Sequence, residues 1–486
     1  MSPQVPATDL APAIAEALER GNFNTGGLMV ALGGAVDTSV GVALQSRRLG
    51  HDAQAHLTRL FLFGEAVPAA EVAAAVSPAT LDGLDGEGWI RRDGDAVRAL
   101  VRITPFEGVL VAHDPFGWEK SGDDVVPGLS SAAETLASLT PRREVQSALD
   151  VGTGSGLHAL LAARHATRVV ATDLSERALA YARLSAALSG ITNIEFRRGS
   201  FFEPVADEQF DLITCNPPFV ISPESGLVYR DGHAGRDDVS REAVMGAAAH
   251  LAPGGLAQLL INWIEQPFDQ WAAPVQRWLE GAGCDALVLH HLSENGLTYA
   301  AKWNVAVQHD PVAHGRVLDE WTEHFEREGI TTLATGAITL RRVEEAPLFS
   351  RLAMATGPSG QAGEHVIRLL DAARWLGEVS DDELMATPVR LVDDHRLVSE
   401  RTRERDEYGA DSLSIVLEHS AGLDGELDGA CAAVLVGLEG GHTPADAVPG
   451  LAPLVADAGV ADVEHLVAST VRQLVSRGLV EPAGGH

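Results

Sequence analysis

Cysteine is scarce in this sequence. Cys215, Cys284 and Cys431 are the only cysteines among 486 residues, and no two of them form a Cys-x-x-Cys pair. This scarcity argues against a disulfide framework and against a cysteine zinc site, so no metal centre is expected. Three scattered thiols are typical of proteins in the reducing cytoplasm, where we expect this protein to act.

Basic residues and long apolar runs are also in short supply. Lysine and arginine together number 36 against 68 acidic residues, which gives a formal net charge of −32. A field of that sign repels phosphate backbones and favours cationic or neutral partners, so we do not expect a nucleic-acid partner. No run reaches the roughly 18 apolar residues of a membrane-spanning helix, and residues 1–21 lack the pattern of a secretory signal. Because hydrophobic residues make up 45% of the chain, it can bury sizeable cores, and wholesale disorder is excluded.

Residues 1–105 predict a helical, winged-helix-like domain. Ala11–Glu19 and Asp52–Phe63 have the apolar spacing of helices, and two short helices precede Trp89. A turn and the strand Ala96–Ile103 then complete a hairpin, so the order is helix, helix, helix, hairpin. DNA binding would need a basic stripe, which this segment lacks, so we expect a packing or dimerisation role.

Residues 106–345 alternate between strands and helices. This alternation predicts an α/β domain with a doubly wound, mostly parallel sheet that binds ligands at the carboxyl ends of its strands. Helices are predicted at Leu157–His165, Glu176–Leu188, Ser240–Leu251, Pro274–Glu280 and Val312–Glu328. Strands are predicted at Val145–Asp150, Arg168–Asp173, Ile194–Arg198, Phe210–Cys215, Leu256–Ile264, Asp285–His290, Tyr299–Gln308 and Thr332–Val343.

Residues 346–486 return to helical character after a loop. Apolar positions between 463 and 475 lie on one helical face, which ends at Gly478 and is followed by Leu-Val-Glu-Pro. A helix, a glycine and a short apolar strand predict a second winged-helix-like domain. Since neither end domain shows the clustered basic residues that phosphate contacts require, we expect both to serve as scaffolds for a homodimer or for substrate enclosure.

A glycine-rich turn follows the first predicted central strand. From Asp150 the sequence reads Asp-Val-Gly-Thr-Gly-Ser-Gly, and Gly152, Gly154 and Gly156 let the backbone approach a ligand at the start of a helix. A nicotinamide fingerprint also fits this spacing. Two carboxylates argue against it: Asp150 can hold a cationic ammonium group, and Asp173, at the end of the next strand, can accept both hydroxyls of a ribose.

A second motif, Asn216-Pro217-Pro218-Phe219, follows the predicted strand Phe210–Cys215. Two prolines cannot continue a strand ladder, so they force a rigid turn at the carboxyl edge of the sheet. This turn directs the Asn216 side chain and the Pro217 carbonyl to one point, with Phe219 as a flat wall. Two acceptors beside an aromatic face suit an amino group on a planar, conjugated system.

Together these motifs resemble those of class I methyltransferases that use S-adenosylmethionine and carry an Asn-Pro-Pro-aromatic tetrapeptide. The resemblance covers about residues 123–264 and, within that group, is similar to the release-factor glutamine N5-methyltransferases, although Phe219 replaces their tyrosine. It implies a Rossmann-like sheet and an acceptor amine bound by the catalytic residues Asn216, Pro217, Pro218 and Phe219.

The same resemblance implies which residues hold the cofactor. These are Thr135, Asp150, Gly152, Gly154, Gly156, Asp173, Leu174, Ser200, Phe201 and Asn216. Among them, Asp173 would bind the ribose, Leu174 would touch the adenine, and Ser200 and Phe201 would contact the edge and the face of the adenine. For the substrate, we expect contacts from the loop after the tetrapeptide, through Glu224, Tyr229, Asp231 and His233.

Several methyl acceptors fit a site that binds a planar nitrogen. The resemblance favours a glutamine amide in a protein, whereas the acidic loop and the net negative charge fit the guanidinium of arginine, free or in a peptide. A nucleobase amine in ribosomal RNA or DNA is the alternative, and the long-range field opposes it. The sequence therefore predicts an S-adenosylmethionine-dependent N-methyltransferase for an amino-acid nitrogen, with glutamine and arginine both left open.

Overall fold

The computed structural model describes ten stretches of the chain, and contacts within the chain divide it into two units. The described residues are 4–34, 42–115, 124–223, 236–266, 270–400, 403–404, 407–408, 412–438, 442–456 and 462–483. The first unit is Met1–Glu134, Arg143–Ile264 and Gly296–Thr331, and the second is Thr135–Arg142, Glu265–Asn295 and Thr332–His486. The division into domains 1–105, 106–345 and 346–486 stays a prediction.

Helices are numbered here in chain order. Those within the described residues are α1 (Ala11–Arg20), α2 (Thr25–Leu32), α3 (Val42–Ser46), α4 (Ala53–Leu57), α5 (Ala69–Val76), α6 (Leu81–Gly86), α7 (Ser131–Leu139), α8 (Leu157–Ala162), α9 (Glu176–Leu188), α10 (Asp238–His250), α11 (Ala273–Trp278), α12 (Gly296–Trp303), α13 (Pro311–Arg327), α14 (Gly363–Glu378), α15 (Asp381–Ala386), α16 (Gly429–Gly437), α17 (Pro444–Ala456) and α18 (Val463–Ser476). The π-helical segment Thr58–Phe63 continues α4. In the part of the chain that the structure describes, no helix is both long enough and apolar enough to cross a bilayer.

Strands are numbered in the same way. The described strands are β1 (Val67–Pro68), β2 (Ile90–Asp93), β3 (Ala96–Ala99), β4 (Arg102–Phe106), β5 (Val109–His113), β6 (Val145–Val151), β7 (Ala166–Asp173), β8 (Ile194–Arg198), β9 (Phe210–Cys215), β10 (Leu251–Ile264), β11 (Cys284–Asn295), β12 (Thr332–Arg342), β13 (Phe349–Ala353), β14 (Val389–Leu391), β15 (His395–Glu400), β16 (Arg403–Glu404), β17 (Glu407–Tyr408), β18 (Ser412–Leu417), β19 (Gly425–Leu427) and β20 (Val480–Pro482).

Five parallel strands form the centre of the first unit. Their order across the sheet is β10-β9-β6-β7-β8, and every neighbouring pair runs parallel. Strands β6, β7 and β9 contain continuous buried stretches, as is usual for strands of a parallel sheet. Because these three strands are neighbours, the residues that follow them meet at one edge of the sheet. The predicted α/β, Rossmann-like sheet is confirmed.

The N-terminal region of the first unit, which we define as its described residues between 4 and 115, packs on α9. Its apolar side chains share one buried cluster with four residues of that helix, Ala178, Tyr181, Leu184 and Leu188. Polar contacts add to this packing, since the Arg177 guanidinium donates two bonds to Asp114 and the Tyr181 hydroxyl donates to the same carboxylate at 2.7 Å. The region therefore shares a core with the domain that carries the sheet.

The elements of the N-terminal region follow the predicted order. The helical segment 53–63 leads into β1, α5, α6 and the β2–β3 hairpin, and β3 lies between β1 and β2 in a three-stranded sheet. The predicted strand Ala96–Ile103 is wrong in extent, because β3 ends at Ala99 and β4 pairs with β5 in a separate hairpin. The winged-helix assignment and the scaffold role stay predictions.

The second unit combines a small ladder with a helical C-terminal part. Strand β11 pairs antiparallel with β12 and parallel with β13, and Asp285 on β11 accepts hydrogen bonds from Arg341 and Arg374. The C-terminal helices bury an apolar cluster of their own. This part contains more strand than the sequence predicts, because β15, β18 and β19 form a sheet and β14 pairs with β20.

One predicted strand is wrong in type. The sequence predicts a strand at Tyr299–Gln308, because its aromatic and β-branched residues favour strands. The chain instead forms α12, which ends at Trp303. Tyr299, Ala300 and Trp303 recur at helical intervals, and Tyr299 and Ala300 are completely buried in a helix that packs against α13. Tertiary packing therefore overrides the local preference of this stretch.

Candidate active site

A cavity of about 250 Å³ lies where β6, β7 and β9 end. Gly152 and Gly154 line it from the turn after β6, Asp173 from the end of β7, and Asn216 from the turn after β9. Residues between 124 and 130 contribute a further wall. Parallel strands carry their carboxyl ends to one edge of the sheet, so residues that are far apart in the sequence meet at this place.

The three glycines of the turn have two different roles. Gly152 and Gly154 adopt left-handed φ angles of 68° and 55°, and a Cβ at either position would meet no atom within 4 Å. Gly156 also has a positive φ, of 93°, but a Cβ there would lie 3.1 Å from the Cα of Ala182 on α9. The first two glycines thus open the turn toward a ligand, whereas the third allows α8 and α9 to pack closely.

Asp150 is buried beneath the glycine turn and does not belong to the lining of the cavity. Its Oδ2 accepts bonds from the Thr153 hydroxyl at 2.7 Å and from the Ala159 N–H at 3.1 Å. Its Oδ1 accepts a bond from the Thr214 hydroxyl at 2.8 Å. The carboxylate therefore joins β6 to the turn, to α8 and to β9. A direct contact with the cofactor's ammonium group stays a prediction.

Asp173 lines the cavity and is held by backbone donors on both sides. Its Oδ2 accepts a bond from the Gly154 N–H at 2.8 Å, and its Oδ1 accepts one from the Ser175 N–H at 2.8 Å. Burial raises the pKa of the Asp173 carboxyl above its usual range, and the nearby carboxylates of Asp150 and Asp124 act in the same direction. A carboxylate accepts about four bonds, so Asp173 keeps lone pairs for a ligand.

Leu174, Ser200 and Phe201 line the same cavity. Phe201 has a left-handed backbone, with a φ of 43°, and its carbonyl accepts a bond from the Thr172 hydroxyl at 3.3 Å. Leu174 is 51% exposed, which is unusual for a large apolar side chain and leaves it free to cover a ligand. An aromatic ring and an aliphatic side chain at one end of a cavity give the flat, apolar surfaces that suit a purine.

The acceptor turn, which we define as Asn216–Ile221, contributes its first three residues to the lining of the cavity. Asn216, Pro217 and Pro218 line the cavity, whereas Phe219 is not among the lining residues. The Phe219 N–H donates to the Pro217 carbonyl at 2.7 Å, which closes a tight turn. That carbonyl has a second lone pair, so it can accept another donor.

The wall formed by residues 124–130 has no counterpart in the sequence analysis. Asp124 accepts a bond from the Ser175 hydroxyl at 2.8 Å. Val126 exchanges two bonds with Asp114, because its N–H donates to the Asp114 carboxylate at 3.0 Å and its carbonyl accepts from the Asp114 N–H at 3.1 Å. No local motif marks these residues, and their bonds to Ser175 and Asp114 help to hold them at the site.

Other predicted site residues lie elsewhere. Thr135 is on α7 and is not among the residues that line the cavity. The expected substrate residues Glu224, Tyr229, Asp231 and His233 lie outside the described residues. Their roles stay predictions.

Two family profiles match the chain. The profile described as methyltransferase small domain matches residues 127–268, which include the glycine turn, Asp173 and the acceptor turn. A domain of unknown function matches residues 7–100. The cavity therefore lies largely within a stretch that methyltransferases share, and the N-terminal region has relatives of its own.

The curated relatives are glutamine methyltransferases. The release factor glutamine methyltransferase of Xylella fastidiosa is 38% identical over 150 residues, which are 28% of this chain and 52% of that protein. The ribosomal protein uL3 glutamine methyltransferase of Bradyrhizobium diazoefficiens is 36% identical over 124 residues, which are 23% of this chain and 39% of that protein. The chain thus spans about half the length of the first of these relatives and less of the second.

A third relative matches over most of its length. The release factor glutamine methyltransferase of Deinococcus radiodurans is 31% identical over 247 residues, which are 45% of this chain and 86% of that protein. A match of this extent covers more than the cofactor motif alone. The chain therefore belongs to the release factor glutamine methyltransferase family, a family of class I methyltransferases that use S-adenosylmethionine.

Proposed function

We propose that this protein transfers a methyl group from S-adenosylmethionine to the side-chain amide nitrogen of a glutamine in a protein substrate. The observation that supports this most is that Asn216, Pro217 and Pro218 line the same cavity as Gly154 and Asp173. Direct transfer between two bound molecules requires that donor and acceptor sites share one cavity. The names of the relatives, which act on release factors or on a ribosomal protein, support the choice of glutamine.

The residues of the cofactor side fit S-adenosylmethionine. When bound, S-adenosylmethionine supplies a methyl group attached to a cationic sulfonium, and loss of the methyl converts the sulfonium to a neutral thioether. Asp173 and Asp124 place carboxylates on the wall of the cavity, which suits a cationic ligand. Asp173 has lone pairs left for the ribose hydroxyls, and Leu174 and Phe201 offer apolar surfaces to the adenine.

The residues of the acceptor side fit a primary amide. The side-chain oxygen of Asn216 and the carbonyl of Pro217 can each accept one N–H of the substrate. The lone pair of an amide nitrogen is delocalised, and two such bonds favour the geometry that frees it to attack the methyl carbon. As the N–C bond forms and the C–S electron pair returns to sulfur, positive charge develops on nitrogen beside two carbonyl dipoles. The proton then leaves the nitrogen for water.

Among the described residues that line the cavity, the ionisable groups suit an amide better than a guanidinium. An amide needs no strong base, because its proton becomes acidic only as the methyl arrives, whereas a guanidinium needs a carboxylate beside it. Within the described residues, the carboxylates that line the cavity are Asp124 and Asp173, both on the cofactor side. Burial, reinforced by the charge of Asp150, raises the pKa of the Cys215 thiol, so this residue next to Asn216 stays neutral.

A labelled-transfer assay tests the proposal. The purified protein is incubated with methyl-labelled S-adenosylmethionine and, in separate reactions, with a release factor, ribosomal protein uL3, free arginine and total RNA. We expect label in one of the proteins, and mass spectrometry should place one added methyl on a glutamine side chain. The matched control replaces that glutamine with asparagine, whose amide is one methylene shorter and should not reach Asn216.

Two outcomes would contradict the proposal. Label in RNA alone would assign the acceptor turn to a nucleobase. Label in arginine, with none in either protein, would assign it to a guanidinium and would call for a carboxylate beyond those of the described lining.

A further inference from the structure

We propose that Tyr299 is a positioning residue for the acceptor turn, an inference that rests on the proposed function. Tyr299 lies on α12, and its hydroxyl oxygen accepts a bond from the backbone N–H of Ile221 at 3.1 Å. Ile221 is the last residue of the acceptor turn and is 1% exposed. The hydroxyl thus holds the end of the turn whose beginning, Asn216, lines the cavity.

Two of the six residues of the acceptor turn cannot donate a backbone hydrogen bond. Pro217 and Pro218 have no N–H, and the N–H of Phe219 is used within the turn, on the Pro217 carbonyl. A bond inside the turn sets its shape but does not set its place relative to the sheet. The bond from Ile221 to Tyr299 does, because it ends on a helix that does not belong to the turn.

Tyr299 is itself held rigidly. Its side chain is completely buried, and its hydroxyl oxygen also accepts a bond from the Asn262 amide at 2.6 Å. Asn262 lies on β10, so one oxygen joins the acceptor turn, the sheet and α12. Aromatic rings surround the phenol: the ring centroids of Trp303, Trp321 and Phe325 lie 6.1 to 6.3 Å from that of Tyr299.

A second contact between α12 and the acceptor turn lies one helical turn further on. The ring of Trp303 meets that of Phe219 edge to face, with centroids 6.3 Å apart and an interplanar angle of 73°. Tyr299 and Trp303 are four residues apart, so both project from one side of α12. Two side chains of α12 therefore contact the acceptor turn. Tyr299 contacts the backbone of Ile221, and Trp303 contacts the side chain of Phe219.

This arrangement should affect the rate of transfer and not the binding of the cofactor. Methyl transfer requires nitrogen, methyl and sulfur in line, and a displacement of about 1 Å costs roughly a hundredfold in rate. The described contacts of Tyr299 lead to Ile221, Asn262 and the aromatic rings, whereas the cofactor side is held by Gly154, Ser175 and Asp173. Loss of the hydroxyl should therefore loosen the acceptor side of the cavity more than the cofactor side.

The substitution Tyr299→Phe tests this, with Thr58→Val as the control. Both residues are completely buried, and each uses its hydroxyl in a hydrogen bond, but Thr58 bonds to the carbonyl of Gln54 at 2.7 Å and does not line the cavity. Rates are measured with whichever acceptor the labelled-transfer assay identifies, and cofactor affinity is measured by calorimetry. We expect both variants to melt at a lower temperature than the parent, but only Tyr299→Phe to lose about 10- to 100-fold in kcat at saturating cofactor. Cofactor affinity in Tyr299→Phe should stay within about twofold of the parent.

Other results would overturn the inference. A kcat for Tyr299→Phe within about twofold of the parent would do so, and so would equal losses of kcat in the two variants. If Tyr299→Phe does not fold, Asn262→Ala keeps the hydroxyl but frees it from the sheet, and an unchanged kcat in that variant would count against the inference. A parent that methylates arginine or RNA and no glutamine overturns the proposed function instead, and Tyr299→Phe is then compared with its control on that acceptor.

Discussion

The two halves of the cavity are built in different ways. In the cofactor half, the N–H of Gly154 donates to Asp173, 19 residues away, and the N–H of Ser175 donates to the same carboxylate. In the acceptor half, the N–H of Ile221 donates to Tyr299, 78 residues away. In the first half, Asp173 is held by short-range bonds that one βαβ unit contains, whereas the second half depends on a helix from a later part of the chain.

This difference separates binding from turnover. A carboxylate held by two N–H groups can bind a ribose in a fixed geometry, and this contact contributes to the binding free energy of the cofactor. The amide of Asn216 is proposed to contact a nitrogen whose charge changes only during transfer, so this contact should lower the free energy of the transition state more than that of the bound substrate. Substitutions in the two halves should therefore move different measured constants.

The largest expected effect is that of Asn216→Ala. Removing one of the two oxygens proposed to bind the reacting nitrogen should lower kcat by roughly 100- to 1,000-fold, the usual cost of one preorganised polar contact to a developing charge. Cofactor affinity, measured by calorimetry, should change by less than about threefold, because Asp173 and the glycine turn are intact. A near-parental kcat would make Asn216 a turn residue and would break the distinction between the two halves.

Asp173→Ala should weaken cofactor binding strongly and lower kcat much less. It removes the proposed acceptor of the two ribose hydroxyls and also the observed partner of the Gly154 and Ser175 N–H groups. We expect cofactor binding to weaken by roughly 2–4 kcal/mol, or about 30- to 1,000-fold, while kcat at saturating cofactor falls far less. Calorimetry gives the first constant and steady-state rates the second. Unchanged affinity, or tight binding of NAD by the parent, would contradict the assignment of this half.

The same contrast explains what the sequence alone could predict. The strands Ile194–Arg198 and Phe210–Cys215 were predictable because each is a short run bounded by turn residues, and the structure has them with the same bounds. The structure brings Gly152, Gly154 and Asp173 together because one βαβ unit fixes their separation. Periodicity and motifs report such local relations well.

Long-range support could not be read in the same way. Tyr299 falls in a stretch predicted as a strand, and nothing in its neighbours indicates that its hydroxyl meets Ile221. The wall residue Val126 bonds to Asp114, which is held in turn by Arg177 and Tyr181, 63 and 67 residues further along the chain, and no motif includes Asp114. The contacts of Tyr299 and of Asp114 thus arise from packing between elements that are distant in the sequence, which local periodicity does not report.

A smaller effect is expected from Gly156→Ala. The residue has a φ of 93°, and a new Cβ would lie 3.1 Å from the Cα and the Cβ of Ala182, so α8 and α9 must move apart. The matched control is Gly190→Ala, where φ is 66° and a Cβ would meet nothing within 4 Å. Both variants carry about 1–2 kcal/mol of backbone strain, and Gly156→Ala should lose about 1–3 kcal/mol more in urea unfolding. Equal losses would mean that close helix packing at Gly156 does not stabilise the cofactor half.

The smallest effect concerns pH and again separates the halves. Burial, with Asp150 and Asp124 nearby, raises the pKa of the Asp173 carboxyl, so the folded protein takes up this proton at a higher pH than an ordinary aspartate would. The ionised form accepts ribose hydroxyls best, so cofactor affinity should fall on acidification through that raised pKa, by at most about tenfold per pH unit. Asp173→Asn cannot titrate, and its weaker affinity should lack this acid limb. If the limb persists in Asp173→Asn, another group is responsible, and if kcat at saturating cofactor follows the same curve, the two halves are coupled through this proton.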